Sequence, residues 1–346
     1  MSIDLGFAYH PLADGQVLGF VDVPGHERFI RNMLAGVTGI DYAMLIVAAD
    51  DGPMPQTEEH LAILDLLEVS DGVIALTKID RVEKHRLDEV KGQIEGMVSG
   101  TCLQGADILP VSAINNTGIA DLREHLETMA DLVGNQTSEG NFRLAIDRCF
   151  TVQGSGLVVT GAVFSGKVSV GEHLTLSPVG IDVRVRGIYA QNRISETGAA
   201  GQRCALNITS ADLKRLEIRR GGWLLAPEIH APVPRFDANL KVLKCETRPL
   251  VHWTPVHVHV GAAELSGRVA MLDQPSIPPG GCGKVQIVLD RHISVLKGDG
   301  FILRDQSARQ TIAGGKVIDP FSPARGRKKP DRITYLSDME ISTADG

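Results

Sequence analysis

Gln16–Phe29 reads QVLGFVDVPGHERF. An alternating apolar run ends at Asp22-Val23-Pro24-Gly25-His26, and HERFIRNMLAG continues with helical spacing. Upstream, LGFAYH and a turn at Ala13-Asp14-Gly15 predict a hairpin with this run. Downstream the pattern alternates. YAMLIVAAD, GVIALTK and ADILPVS read as buried strands; QTEEHLAILDLLE, RVEKHRLDEVKGQIEGMV and IADLREHLETMADLV read as helices. Short apolar strands alternating with helices predict a parallel sheet covered on both faces, over residues 1–135.

Residues 136–140, QTSEG, read as a linker. Beyond them the helical signal disappears. FRLAIDRCFTV, LVVTGAVF, HLTLS, VRVRGIYA and RCALNIT, separated by glycine turns, predict an antiparallel β-barrel over 141–228. After the proline-rich IHAPVPR, the runs ANLKVLKCE, VHVHVG, GRVAMLD, GKVQIVLD, GFILRD and GGKVID predict a second barrel over 233–320. Residues 321–346 read as a basic, then polar, tail or linker. The fold class is thus multidomain, α/β followed by all-β.

Composition narrows the function classes. The chain has 346 residues, 43% hydrophobic and 22% charged, which suits two or three globular domains. No apolar run reaches the ~18 residues of a membrane span, and MSIDLGFAYHP is not a signal peptide. Cys102, Cys149, Cys204, Cys245 and Cys282 are far apart and never CxxC, which fits a reducing cytoplasm and argues against a zinc site. The net charge of −7 excludes a global basic field for nucleic acid, so any RNA contact must be local.

Three turns carry chemistry. Asp22 and Gly25 sit between a strand and a helix. An aspartate there reaches the shell of a hydrated Mg²⁺ through water, and a glycine lets its backbone N–H approach a terminal phosphate. His26 at the helix start can orient an attacking water, or it makes only a structural hydrogen bond. Thr77-Lys78-Ile79-Asp80 follows the GVIAL strand. Asp80 can accept two hydrogen bonds from a guanine edge while Lys78 lies along the ring; the alternative is a polar turn with Asp80 as an N-cap. Ser112-Ala113 follows the next strand at the same sheet edge, where open α/β sheets bind ligands. The string Gly161–Val168 spells GxxxxGK, but Val168 replaces Ser or Thr and no helix follows, so it reads as a barrel turn.

The strings SIDLGFAY, FVDVPGHERFIRNMLAGVTGIDYAMLIVAADDGPMPQTEEHLAIL and ALTKID closely resemble the translation-factor GTPases of the elongation factor Tu type. FRLAIDRCFTVQGSGLVVTGAVFSGKV, AQNRISETGAAGQRCALNI and SARQTIAGGKVID resemble their selenocysteine-specific branch. The resemblance runs from Ser2 to about Asp331. It implies a GTPase domain followed by two barrels that together bring an aminoacyl-tRNA, here selenocysteyl-tRNA, to the ribosome. GTP/GDP and Mg²⁺ are the implied cofactors, and a cytoplasmic monomer the implied state. The switch residue that reaches Mg²⁺ corresponds to Ser2.

By resemblance, Asp147, Arg148 and Arg203 form the selenocysteine pocket. A selenol ionises far more readily than a serine hydroxyl, so two guanidiniums favour it over serine. The alternative is an ordinary charged pair with a solvated arginine. Neighbours on a regular strand point to opposite faces, so either a bulge turns one of Asp147 and Arg148 or Arg148 alone reaches the ligand.

The chain departs from the family twice. The phosphate loop with its strand and helix, roughly 30 residues, is missing before Ser2. An incomplete nucleotide site is therefore expected, with two strands lacking their shared neighbour, and a truncated gene model is the expected cause. The winged-helix modules that bind the mRNA hairpin are also absent beyond the basic run Arg325–Pro330. Three readings stay open: a GTP-hydrolysing elongation factor recorded as a fragment, a non-enzymatic relic that binds tRNA or protein, and a carrier of the same type with other cargo.

Overall fold

A computed structural model of the chain describes residues 2–37, 39–133, 139–154, 156–212 and 220–341. The predicted linker 136–140 falls mostly outside these residues. The chain divides into two compact units, Met1–Met33 with Ile40–Asn135, and Leu34–Gly39 with Gln136–Gly346.

In the first unit, β1 (Gly6–Pro11) and β2 (Val17–Asp22) form an antiparallel hairpin, with Gly6 opposite Asp22. A 3-10 turn at Glu27–Phe29 leads into α1 (Ile30–Val37). Then β3 (Ala43–Ala48), α2 (Pro55–Leu67), β4 (Gly72–Thr77), α3 (Lys84–Val98), β5 (Ile108–Pro110) and α4 (Ile119–Val133) alternate. The three strands pair in parallel in the order β3-β4-β5. Pro55 opens α2 where a missing N–H costs nothing, and Thr57 Oγ1 accepts the Met54 N–H at 3.2 Å. Leu45, Val47, Ile74 and Leu76 of the strands are buried together with Ile63, Leu64, Val90 and Ile94 of the helices. Each such side chain contributes about 1.5–3 kcal/mol. The hairpin and the parallel sheet are separate sheets, and Ile46 on β3 is 50% exposed.

In the second unit the first barrel is built from β6 (Arg143–Val152), β7 (Gly156–Ser165), β8 (Lys167–Ser169), β9 (His173–Ser177), β10 (Ile181–Ala190), β11 (Arg193–Ser195), β12 (Thr197–Ala199), β13 (Arg203–Thr209) and β14 (Trp223–Leu225). The order β10-β13-β7-β6-β14-β9 closes on itself through the β9–β10 pair. The GxxxxGK string runs along β7, turns at Gly166 (φ +69°) and enters β8: it is a barrel turn.

The second barrel uses β15 (Val233–Val242), β16 (Leu250–Val251), β17 (Thr254–Val260), β18 (Ala263–Met271), β19 (Ser276–Ile277), β20 (Cys282–Ile293), β21 (Gly300–Arg304) and β22 (Thr311–Asp319). It closes as β15-β20-β18-β17-β21-β22 around Phe236, Val258, Ile287, Phe301 and Leu303.

The segment read as a tail or linker is instead partly helical. α5 (Pro330–Ile341) buries Leu336 against Leu272 and Ile318 of the second barrel. Arg332 reaches back to Asp237 and Asp319, at 2.5 and 2.7 Å. The basic run hid an amphipathic stretch, ITYLSDM, whose apolar side packs on the second barrel.

Candidate functional site

Parallel pairing brings two of the predicted turns together. The register sets Ala48 beside Thr77 and Leu76 beside Pro110, so β3, β4 and β5 end at one edge. Ser112 is fully buried and donates its hydroxyl hydrogen bond to Asp80 Oδ1 at 2.5 Å. That bond joins the TKxD turn to the Ser112-Ala113 turn. Asp80 lies inside the 3-10 turn Ile79–Arg81, where Lys78 and not Asp80 holds the capping position. The N-cap alternative for Asp80 therefore fails. Thr77 Oγ1 donates to the Val47 carbonyl at 3.3 Å, tying β4 to β3.

Lys78 adopts a left-handed backbone, φ +58°, a conformation that costs a non-glycine residue about 1 kcal/mol or more and clusters at functional turns. Its ammonium donates to both Asp50 carboxylate oxygens, at 3.0 and 3.1 Å. These hydrogen bonds hold the Asp50 carboxyl below its ordinary range and raise the Lys78 ammonium above its own. Arg81 adds a contact to Asp50 at 3.4 Å. Lys78 thus rests on Asp50, a residue the motif reading passed over; its signal in the sequence was the AADD run that leads out of β3.

At the other turn, Ser2 Oγ donates to Asp22 Oδ2 at 3.2 Å. Two adjacent oxygen donors suit Mg²⁺, which keeps most of its waters and takes one or two protein ligands. His26 Nδ1 accepts the Arg28 backbone N–H at 3.2 Å, so the neutral ring carries its proton on Nε2. The structural hydrogen bond foreseen as the plainer role of His26 exists, and it leaves Nε2 outside that bond. Gly25 has ordinary negative φ. A Cβ there would meet only Gln56 Oε1, at 3.5 Å, so the backbone lies open to approach.

In the first barrel the register of β6 against β7 slips between Ile146, opposite Gly161, and Arg148, opposite Thr160. Asp147 is the extra residue of this bulge, so the strand does not alternate regularly at this point. The bulge packs closely: a Cβ on Gly161 would stand 1.9 Å from the Ala145 carbonyl oxygen, so only glycine fits. Asp147 is buried and Arg148 half-buried. Arg203 at the start of β13 donates to Asp147 Oδ2 from Nε at 3.1 Å and to Oδ1 from Nη2 at 3.0 Å. Thr160 Oγ1 accepts from Arg203 Nη2 at 2.9 Å and donates to Asp147 Oδ1 at 2.5 Å. Thr160 is a member that sequence reading missed, because nothing distinguishes a threonine in a β-run. Asp147 balances the Arg203 guanidinium, and Arg148 is the next residue along β6. Beside them, burial pushes the Cys204 thiol up to about 12, so it stays neutral and adds no anion to the cluster.

Residues 1–132 match the family model "Elongation factor Tu GTP binding domain", and 237–324 match "Selenocysteine-specific elongation factor, beta-barrel domain". Parallel sheet, nucleotide-type turns and two closed barrels are the architecture of the elongation factor Tu class. The chain's similarity extends along its whole length to the selenocysteine-specific branch of that class. It is 44% identical over its full length to the selenocysteine-specific elongation factor of Escherichia coli and 38% to that of Desulfomicrobium baculatum, covering 54% of each. It therefore spans about half the length of the curated relatives it matches. A crystal structure of a bacterial selenocysteine-specific elongation factor aligns with 97% of this chain and 55% of its own, at TM-score 0.86 and 28% identity.

Proposed function

We propose that the chain is the nucleotide- and tRNA-binding part of a selenocysteine-specific translation elongation factor, which binds GTP and delivers selenocysteyl-tRNA to the ribosome. The observation that carries this reading is the Asp147–Thr160–Arg203 cluster on the β6 bulge beside Arg148. A guanidinium held in place by Asp147 and Thr160 favours an ionised selenol over a neutral serine hydroxyl.

At the sheet edge, Asp80 accepts from the guanine edge, held by Ser112; Lys78, resting on Asp50, lies along the base. Ser2 and Asp22 would hold Mg²⁺, which supplies charge neutralisation between the phosphates when bound. His26 orients the attacking water through Nε2, and hydrolysis triggers release of the tRNA. Replacing Arg203 by Ala tests the cargo. Selenocysteyl-tRNA binding is expected to fall well below seryl-tRNA binding, whereas equal loss for both would overturn the assignment.

A second reading, barrels that bind tRNA while the first unit holds no nucleotide, draws on the separation of the β1–β2 hairpin from the parallel sheet. Titration with a fluorescent GDP analogue decides between them. Saturable, guanine-specific binding supports the first reading; no binding supports the second.

A further inference from the structure

The second barrel carries an aromatic and cationic cluster that neither the nucleotide turns nor the Asp147 cluster uses. Trp253, in the turn between β16 and β17, is 42% exposed. Its backbone is left-handed, φ +71°, rare for a bulky residue and maintained only where the surroundings impose it. Two contacts impose it: the Trp253 N–H donates to the Val269 carbonyl at 2.7 Å, and the Trp253 carbonyl accepts from Arg268 Nη1 at 3.2 Å.

Two guanidiniums, those of Arg268 and Arg327, lie near the ring, each 5.9 Å from its centroid. The His252 ring lies 5.8 Å away, tilted by 32°. Arg327 is held in place by Gln286, a fully buried side chain whose Oε1 accepts its Nη1 at 3.0 Å. Arg327 belongs to the run Arg325-Gly326-Arg327-Lys328-Lys329. Among the described residues none of Arg268, Arg325, Arg327, Lys328 and Lys329 forms an ion pair, in a chain whose net charge is −7. A single arginine beside a tryptophan is common surface packing. An exposed, conformationally imposed ring with two arginines near it and a basic run beside it is the composition of a single-strand nucleic-acid seat, in which a base stacks on the ring and cations follow the backbone.

We propose that Trp253, Arg268 and Arg327 form a seat for single-stranded RNA on the second barrel, with an unpaired base stacked on Trp253 and its phosphates met by the 325–329 run. The seat requires neither nucleotide nor aminoacyl group.

The test is fluorescence-anisotropy titration of the 346-residue chain with a labelled 12-nucleotide uridylate strand and a duplex RNA of equal length, at several salt concentrations. Tryptophan quenching is read in parallel. Trp223, the other tryptophan, is 2% exposed, so quenching reports Trp253. Glycine suits the left-handed backbone, so Trp253→Gly removes the ring without strain, while Trp253→Phe keeps an aromatic face.

The single strand is expected to bind more tightly than the duplex and to quench. Trp253→Gly should weaken it roughly 5- to 100-fold, and Trp253→Phe should restore most of the loss. Arg268→Gln and Arg327→Gln should each lower the salt slope by roughly 0.7. Unchanged binding by Trp253→Gly overturns the proposal. So does a duplex bound as tightly as the single strand. Displacement by polyglutamate as readily as by unlabelled RNA would assign the surface to an acidic protein instead.

Discussion

Arg143, the first residue of the first barrel, grips Asp299 of the second barrel through two parallel hydrogen bonds of 2.9 and 2.7 Å. The two side chains are 8% and 12% exposed, and the Arg143 guanidinium also stacks 4.5 Å from the centre of the Trp223 ring. Asp299 Oδ2 further accepts the Leu296 N–H at 2.8 Å. A nearly buried fork of this kind tolerates the loss of neither partner alone. Asp299→Ala is expected to destabilise the barrels by about 3–5 kcal/mol in urea unfolding followed by Trp223 fluorescence. The double variant Arg143→Met/Asp299→Leu should recover part of that loss. A single variant within about 1 kcal/mol of the parent would refute a strong buried pair.

Ser112→Ala removes the one hydroxyl that joins Asp80 to the next turn. A hydrogen bond to a charged group contributes about 1.5–3 kcal/mol. Affinity for the fluorescent GDP analogue should therefore fall by roughly 10- to 100-fold. Affinity equal to that of the parent would mean that Asp80 is positioned by its own turn alone.

Arg332→Met strands two acids, since Asp237 and Asp319 are 0% and 8% exposed and both depend on this guanidinium. Burial already pushes the Asp237 carboxyl up, against the hydrogen bonds from Arg332 and Gln286. Backbone amides of α5 should lose their protection in hydrogen exchange, and Leu336 should lose its burial. Full protection in the variant would show that the apolar contacts of Leu336 hold the helix unaided.

Asp305 gives the acid limb of stability a specific contributor. Partial burial opposes ionisation, yet N–H groups of Gln310, Arg309 and Ser307 and the Ser307 hydroxyl bring its carboxyl down to about 2. A carboxyl depressed in the folded state stabilises fully above its unfolded value, near 3.8, and the contribution disappears as pH falls through about 2. The stability gap between parent and Asp305→Asn should therefore be constant above about pH 4 and shrink between pH 4 and 2. A gap independent of pH in that range would assign the loop's stability elsewhere.

Much of the architecture was legible in the sequence because the periods are strong. The three-strand parallel sheet and the two β-rich series follow from hydrophobic spacing and glycine turns. The DxxGH, TKxD and Ser-Ala turns were legible because their side chains are unusual at strand ends. Thr160 and Asp50 were not, since their roles arise from register: Thr160 lies opposite a bulge, and Asp50 follows β3, whose last residue Ala48 pairs with Thr77 beside Lys78. The helix α5 read as tail because its apolar residues are few and its flank is basic.

By itself the sequence determined the order of the units, the strand-end motifs and the family resemblance. Local periodicity and short motifs encode those, and each needs only neighbouring residues. The tertiary structure alone decided that Asp147 sits on a bulge facing Arg203, that Ser112 reaches Asp80 and that Arg332 latches the final helix. Each of these joins residues 13 to 95 positions apart whose pairing depends on strand register and on a surface that another element completes. No spacing rule within one segment carries that information.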